Sequence, residues 1–439
     1  MGYKLDIESG SELGGVAKNV LGRIVHPGSS GMRRACCVLG FVAALSGCGG
    51  NSGDDSEAIP TVTRTAATPA TPTPGASSTP ATASTSPAST ATPSAEPPQP
   101  TPTALAGSFR AWAVTSANSV LRSENGGGTW ETIATLDLPT GGRLFGIDFA
   151  DRTRGWVVGN GIFRTDDGGS SWLEQKGNVV LPDGIDFDLQ VQLYDVQVLA
   201  PDVAVAVGGL FIGAEFDSLI LRTENAGELW QEVPIESDTV PAALEGALRS
   251  LCVTPTGLGL TAGFSVEAER EGLATTTDAG ISWESIRDRV SIRDAFAVAC
   301  GGNNFFVVGG MISGFPLVLR GDELWRSQDA GSTWEEITSS LPDRGPISAV
   351  FSLDGFTGWA AVFENASALI LRTNDGGASW SLQDLPEAQG TITAVEFLDS
   401  SGGIAAGGEA FFTSSGGALW GRSVGVPDSQ SIEDLAVAP

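Results

Sequence analysis

Histidine is nearly missing from this chain: the one copy is His26, so everything after it lacks an imidazole to serve as general base or metal ligand. Tyrosine is almost as scarce, with only Tyr3 and Tyr194. Basic residues are outnumbered, 24 Lys and Arg against 52 Asp and Glu, for a net charge of −28. Such a surface repels nucleic acid and leaves a solvated exterior or a basic partner as its natural uses. No apolar run is long enough to span a bilayer. No glycine-rich phosphate loop or dinucleotide fingerprint is present, so no cofactor is expected.

What is present begins with a processing signal. Met32-Arg33-Arg34 opens a positive segment, Ala35 to Leu45 is apolar, and Leu45-Ser46-Gly47-Cys48 has small-residue cleavage geometry. This resembles a bacterial lipobox, which implies that Cys48 is lipidated and becomes the new N-terminus. Residues 1–31 then read as an upstream extension chosen by a mis-assigned start, 32–48 as the signal, and 49–106 as a linker. From residue 51 the linker is almost wholly Thr, Pro, Ala and Ser after a short acidic start, and it cannot build a core. A disordered tether of this length reaches roughly 40 Å as a coil and about 170 Å as polyproline II. The expected location is extracytoplasmic, on a membrane anchor.

Residues 107–439 are organised around one repeated stretch, clearest as Arg164-Thr165-Asp166-Asp167-Gly168-Gly169-Ser170-Ser171-Trp172. Seven copies end at Trp130, Trp172, Trp230, Trp283, Trp334, Trp380 and Trp420, spaced 42, 58, 53, 51, 46 and 40 residues apart. Those intervals suit one four-stranded blade per copy. Asn125, Asp167, Asn225, Asp278, Asp329 and Asp375, with Ser415 in the last copy, occupy the position whose side chain can cap its own turn by bonding N–H groups two residues on. The glycine two places later tolerates positive φ, and the Trp starts the outgoing strand.

The sixth copy shows the strands best: Ile347–Phe351, Gly358–Val362, Ala368–Arg372 and Trp380–Gln383. The first copy begins at its second strand, Arg110–Val114, whereas Ser431 to Val437 has first-strand character with nothing after it. The expected fold is therefore all-β, a seven-bladed β-propeller of four-stranded blades. Its ring would close by the C-terminal strand completing the first blade. Ten of the eleven Trp fall on repeat positions, and Trp112, Trp156 and Trp359 share one column; core packing between blades is their expected role.

The repeated turn resembles the Asp-box, or BNR, repeat. Thr275 stands in place of the usual Arg, Leu229 and Leu419 in place of the Ser/Thr before Trp, and Ser415 in place of Asp. The order Ile-x-x-Val-x-Phe, Gly-Trp-x-Val-Gly, Leu-Arg-Thr-x-Asp-Gly-Gly-x-x-Trp most resembles the photosystem II stability/assembly-factor family. Gly155-Trp156-Val157-Val158-Gly159 through Gly169 is the nearest copy. The resemblance implies a non-enzymatic propeller that binds partner proteins during membrane-complex assembly. An arginine-rich docking surface belongs to that family, but Arg122, Arg164, Arg222, Arg326 and Arg372 sit in an acidic chain and read as local ion-pair and packing residues.

The alternative is a carbohydrate-binding or sialidase/glycosidase-like surface protein. Sialidases need an arginine triad and a tyrosine nucleophile with its glutamate, and Tyr194 alone remains here after the signal. One metal hypothesis is a calcium site on Asp183, Asp186, Asp188 and Asp195, beside the simpler reading of a solvated acidic loop. Cys252 and Cys300 share a repeat position in successive blades, which allows either a disulfide or two buried thiols. Long second-to-third loops and crossovers cluster on the face opposite the Asp boxes. They bring Phe187, Phe211, Phe216, Phe264, Met311 and Phe315, which mark either a partner-binding face or residues folded back into hairpins. The expected partners are a protein, the membrane through the lipid, and a glycan in the alternative; a monomer is expected.

Overall fold

The computed structural model describes residues 109–439 apart from 182–184, 213–214, 237–245, 265–271, 287, 293–294, 312–320, 343–344, 365–366, 384, 387 and 389. The extension, signal, Cys48 and linker lie outside the described residues, as do Asp183 and Phe315. Strands dominate; the helices among the described residues are a single turn at Phe187–Gln190 and two 3-10 turns, Lys176–Asn178 and Thr338–Ser340.

Short apolar runs punctuated by turn residues form an antiparallel four-stranded unit, seen plainly in Leu144–Phe149, Gly155–Gly159, Ile162–Thr165 and Leu173–Glu174. Its second strand, Gly-Trp-Val-Val-Gly, is buried along its whole length, as expected for a sheet packed on both faces. The same unit recurs with inner strands Val191–Ala200, Ala247–Val253, Ala297–Gly301, Ile347–Ser352 and Ile392–Phe397. In the unit that opens at Arg110, the inner strand is Ile432–Ala438, paired antiparallel with Arg110–Thr115 from Arg110↔Ala438 to Thr115↔Ile432. The units are numbered here from the one opening at Arg110. The fifth and sixth share a single ladder pair, Gly321 with Ile347, and so count as one sheet. Inner strands stand side by side in chain order, and Ile432–Ala438 lies against both Ile392–Phe397 and Leu144–Phe149.

Two small strands escaped the sequence reading. Val179–Val180 runs parallel to the outer strand Trp230–Glu232, and Ile235–Glu236 parallel to Trp283–Ser285. Each covers an edge that would otherwise present unpaired backbone, and two residues leave no periodicity to detect. A third difference concerns Leu210 to Ser218. Rather than a loop, this is a prolonged hairpin in which Leu210 pairs with Asp217 and Phe211 with Phe216.

The Asp-box turns follow one bonding scheme. The Ser or Thr before the box accepts the N–H of the glycine four residues on, as Thr165 Oγ1 does from Gly169 at 2.9 Å and Thr373 Oγ1 from Gly377 at 2.8 Å. The Asp or Asn Oδ1 accepts an N–H four residues on rather than two: Asn125 from Thr129, Asp167 from Ser171, Asn225 from Leu229, Asp278 from Ser282, Asp329 from Thr333 and Asp375 from Ser379, all between 2.8 and 3.0 Å. Ser415 Oγ does the same for Leu419 at 2.9 Å. Where a carboxylate is present, its second oxygen also accepts the hydroxyl of Ser171, Ser282, Thr333 or Ser379. Leu229 and Leu419 occur in turns whose capping residue, Asn225 or Ser415, has no second carboxylate oxygen to accept such a hydroxyl. The box glycine needs its left-handed backbone, φ +84° at Gly331 for example.

The aromatic column packs between units. Trp112 of the first stacks on Phe149 of the second with centroids 3.6 Å apart, and Trp359 of the sixth on Phe397 of the seventh at 3.5 Å. Trp130, Trp230, Trp283 and Trp420 are buried, while Trp172, Trp334 and Trp380 pack partly buried against three other apolar clusters. Asp167→Ala removes two acceptor oxygens from one turn and should lower stability by about 1–2 kcal/mol. Asp167→Asn, which keeps the bond to Ser171 N–H, should cost less than half as much; denaturant unfolding of the two variants checks the order.

Candidate functional site

Each inner strand begins after the crossover from the preceding unit, at the end opposite the Asp-box turns. There the ladder slips: pairing breaks between Leu144 and Gly146, Leu248 and Ser250, Ile347 and Ala349, and Ile392 and Ala394. The extra residue of such a bulge has no ladder partner, and its side chain is re-aimed. A glycine opposite makes room. A Cβ on Gly159, Gly208, Gly263 or Gly407 would lie 2.0–2.1 Å from the facing carbonyl oxygen. The final Gly of Gly-Trp-x-Val-Gly is thus explained by the bulge it faces.

The bulge residues and their neighbours line one mouth of a cavity of about 830 Å³ walled by the inner strands. Across the second to fourth units they form a continuous stack. Arg143 lies over Phe145 at 5.5 Å, Phe145 tilts against Tyr194 at 5.1 Å, and Arg249 lies over Tyr194 at 3.8 Å. Arg143 also pairs with Glu433 at 2.9 Å. Burial lowers the Arg249 pKa and raises that of Tyr194.

Deeper in the cavity, acidic side chains cross from one inner strand to the next. Asp434 Oδ2 accepts the Ile147 N–H at 3.0 Å, Asp148 Oδ2 that of Val198 at 2.6 Å, and Asp195 Oδ2 that of Leu251 at 2.8 Å. Gln197 does the neutral equivalent, accepting from Val253 N–H and donating to Val253 O. Adjacent inner strands share no ladder, so these side chains satisfy backbone groups that would otherwise be orphaned. Burial in the cavity wall is the first cause of raised carboxyl pKa values, to about 7 for Asp148 and about 6 for Asp434, with Asp195 and Glu396 also raised by burial and by the neighbouring carboxylates. Asp-box carboxyls go the opposite way: hydrogen bonds led by Ser171, Thr333 and Ser379 hold Asp167, Asp329 and Asp375 below the usual value.

The calcium hypothesis is corrected. Asp186 caps the one-turn helix by accepting the Asp188 N–H, Asp188 accepts Lys176 Nζ at 2.8 Å, and Asp195 belongs to the cavity. Among the described residues no group of three or more potential ligands comes together. Phe187 is corrected too: it is buried with Trp156, Val191 and Leu210 and is not presented to a partner. Phe211 lies half-buried in the prolonged hairpin. Phe216, Phe264 and Met311 fall in strands, but their side chains, like all of Phe315, lie outside the described residues. Cys252 and Cys300 are joined as a disulfide, Cα atoms 5.8 Å apart, so the alternative of two thiols does not hold. Sequence reading missed the mouth stack and the crossing carboxylates; the shared position of Asp148 and Glu396 before the strand-ending Phe was a usable signal.

Repeated Asp-box turns closing four-stranded units define a BNR-repeat β-propeller. More particularly, residues 130–246 match the family model described as photosynthesis system II assembly factor YCF48, and the chain is YCF48-like in its repeats. No curated protein matches it. Among solved structures it is similar to YCF48 from Cyanidioschyzon merolae, with 19% identity, TM-score 0.46, and 66% of this chain and 87% of that one covered. A structure of YCF48 bound to D1 peptide gives 16%, 0.45, 66% and 84%. The GH74 xyloglucanase from Xanthomonas campestris gives 16%, 0.49, 74% and 52%, so this chain spans about half of that enzyme. Likenesses of this degree carry no argument about what the chain binds or does.

The two carboxylate groups set opposite limits on stability. Cavity carboxyls have folded pKa values above the unfolded 3.8, so their contribution is full below 3.8 and is lost as pH rises through about 6 and 7. Asp-box carboxyls have lowered values, so theirs is present above 3.8 and lost as pH falls further. The melting midpoint should therefore peak near about pH 4 and drop on the order of 3 °C or more toward pH 8. Asp148→Asn should flatten the alkaline limb and leave the acid limb unchanged in a calorimetric pH series.

Proposed function

We propose that this protein is a non-catalytic, lipid-anchored extracytoplasmic propeller that captures a protein partner and serves membrane-complex assembly. In this reading the four-stranded units are seven blades of a ring closed by Ile432–Ala438, a monomer held off the membrane by the linker and Cys48. The observation that carries it is the match of residues 130–246 to the assembly-factor family model. The Cys252–Cys300 disulfide supports the location, since disulfides persist in oxidising compartments.

The working surface in this reading is the cavity mouth opposite the Asp boxes. The Asp-box residues are engaged in their own turns, and the strand arginines in the next unit's turn, so neither is free to define a partner. The mouth offers an aromatic and arginine stack that the repeat does not require, with the Arg143 side chain 47% exposed. Arg143→Ser combined with Phe145→Ser should reduce in-cell crosslinking to the partner about tenfold, or roughly 1.4 kcal/mol. Phe356→Ser, on the Asp-box face and 60% exposed in the parent, should leave capture unchanged. Equal effects from the two variants would refute the mouth as the docking surface.

The anchor is tested separately. Cys48→Ala should move the protein from the membrane fraction to the soluble extracytoplasmic fraction, and full retention in the membrane would refute lipidation at that residue.

A further inference from the structure

The unit junctions are held by a recurring guanidinium contact. Arg122 of the first unit donates to the Gly168 carbonyl in the second unit's Asp-box turn at 3.3 Å, Arg164 to Ala226 at 2.9 Å, Arg222 to Ala279 at 3.5 Å, and Arg372 to Gly416 at 3.0 Å. Arg326 makes the same contact with Gly376. In four of these units an aromatic ring of the second strand accompanies the arginine, with Arg164 over Trp156 and Arg372 over Trp359 at 5.6 and 5.3 Å and Trp112 and Phe306 beside Arg122 and Arg326 in register.

Two junctions lack this arginine, and each is made another way. Between the seventh and first units Phe412 holds the arginine position, and the backbone itself crosses: Trp130 N–H donates to Val424 O at 2.9 Å and Ser423 Oγ to Gly127 O at 2.6 Å. Between the fourth and fifth units Thr275 replaces the arginine and Leu260 the aromatic platform. A Cβ on Gly331, in the fifth unit's turn, would lie 3.0 Å from the Thr275 methyl, so van der Waals packing stands where the others have a hydrogen bond. On the cavity side Ser250 Oγ accepts the Val298 N–H at 3.2 Å. It is this junction, from Cys252 of the fourth inner strand to Cys300 of the fifth, that the disulfide spans.

We propose that the Cys252–Cys300 disulfide is a redox-sensitive seam: it closes the junction that lacks an arginine clamp, and its reduction lets the fourth and fifth units part locally and widens the cavity they wall. Both cysteines line that cavity and are only half-buried, so a small dithiol reaches the sulfurs through its mouth. One thiolate of the dithiol attacks one sulfur and breaks the S–S bond, giving a mixed disulfide and a cysteine thiolate. The second thiol then resolves the mixed disulfide. Two electrons and two protons end on Cys252 and Cys300, and the dithiol leaves as its own disulfide. The remaining junctions keep their arginine or backbone links, so the opening is local.

Hydrogen exchange of the full chain before and after dithiothreitol tests this. Mass spectrometry should first find a linked Cys252–Cys300 peptide; free thiols at both positions in the untreated protein would overturn the proposal. Reduction should accelerate exchange about tenfold in Ala247–Val253 and Ala297–Gly301, and by less than about twofold in Leu144–Phe149 and Ile392–Phe397. Unchanged exchange, or equal acceleration in all four strands, would overturn it. The variant Cys252→Ser with Cys300→Ser should exchange like the reduced protein. Adding Thr275→Arg, which supplies the missing guanidinium opposite the Ala330 carbonyl, should return those strands to within about threefold of the oxidised parent. No slowing on adding the arginine would refute the equivalence of the two clamps.

Discussion

Neighbouring four-stranded units share almost no backbone ladder, so the molecule depends on side chains that carry hydrogen bonds across each junction. Backbone pairing completes a unit internally and leaves two problems at its boundary: the carbonyls exposed by each Asp-box turn and the N–H groups along each inner strand. The arginine before the box answers the first, donating to the turn of the next unit. Crossing carboxylates answer the second from the first unit to the fourth. Packing of the tryptophan column fills the space between, as where Trp112 stacks on Phe149 while its Nε1 donates to Gly168 O at 3.0 Å. Charged side chains are therefore architectural in this chain, and the excess of Asp and Glu need not be a binding signal.

That division explains which parts were legible in the sequence. Asp-box turns and strands are local: a Ser or Thr, an Asp or Asn, a glycine and a Trp within nine residues determine the turn, so seven copies could be read without knowing what they touch. The departures were equally local in cause, since the pattern at Leu229 and Leu419 follows from the acceptor oxygens available to Asn225 and Ser415. The pairing of Ile432–Ala438 with Arg110–Thr115 was legible from one missing strand and one unmatched strand. Contacts between units join residues about fifty positions apart, and nothing in the local pattern reveals that Asp195 reaches Leu251 while Asp186 and Asp188 cap a helix and hold Lys176. Proximity in sequence therefore does not bring Asp186, Asp188 and Asp195 together in space.

Of the two readings open for the loop aromatics, Phe187 and Phe211 follow the one that folds them back, for a related reason. Phe187 lies in a segment rich in Asp and Gly, which looks solvated, yet one helical turn capped by Asp186 is enough to swing its ring into the core beside Trp156. Phe211 lies on a hairpin that extends the ladder past the usual strand length. Burial of single apolar residues in long connections depends on the turn that presents them, and such turns carry weak signals. The bulge residues are the opposite case: Phe145, Tyr194 and Arg249 looked like ordinary strand positions, and only the slipped register aims them at the cavity.

A bulge recurs at the start of most inner strands while its residue varies, and in four units a glycine on the facing strand makes room for it. Second-strand glycines at 159, 208, 263 and 407 are held in place by the carbonyl they face. The bulge residues that face them, Phe145, Tyr194, Arg249 and Thr393, differ in size and charge. In the proposed reading scaffold and recognition are thus separated: the Asp-box end is occupied by bonds between units, and chemical variety falls at the opposite mouth. Specificity built there is tied to the spacing of the inner strands, since each bulge residue moves with its strand. Whatever sets that spacing, carboxylate, disulfide or arginine at the outer turn, therefore also sets the shape of the mouth that we propose meets a partner.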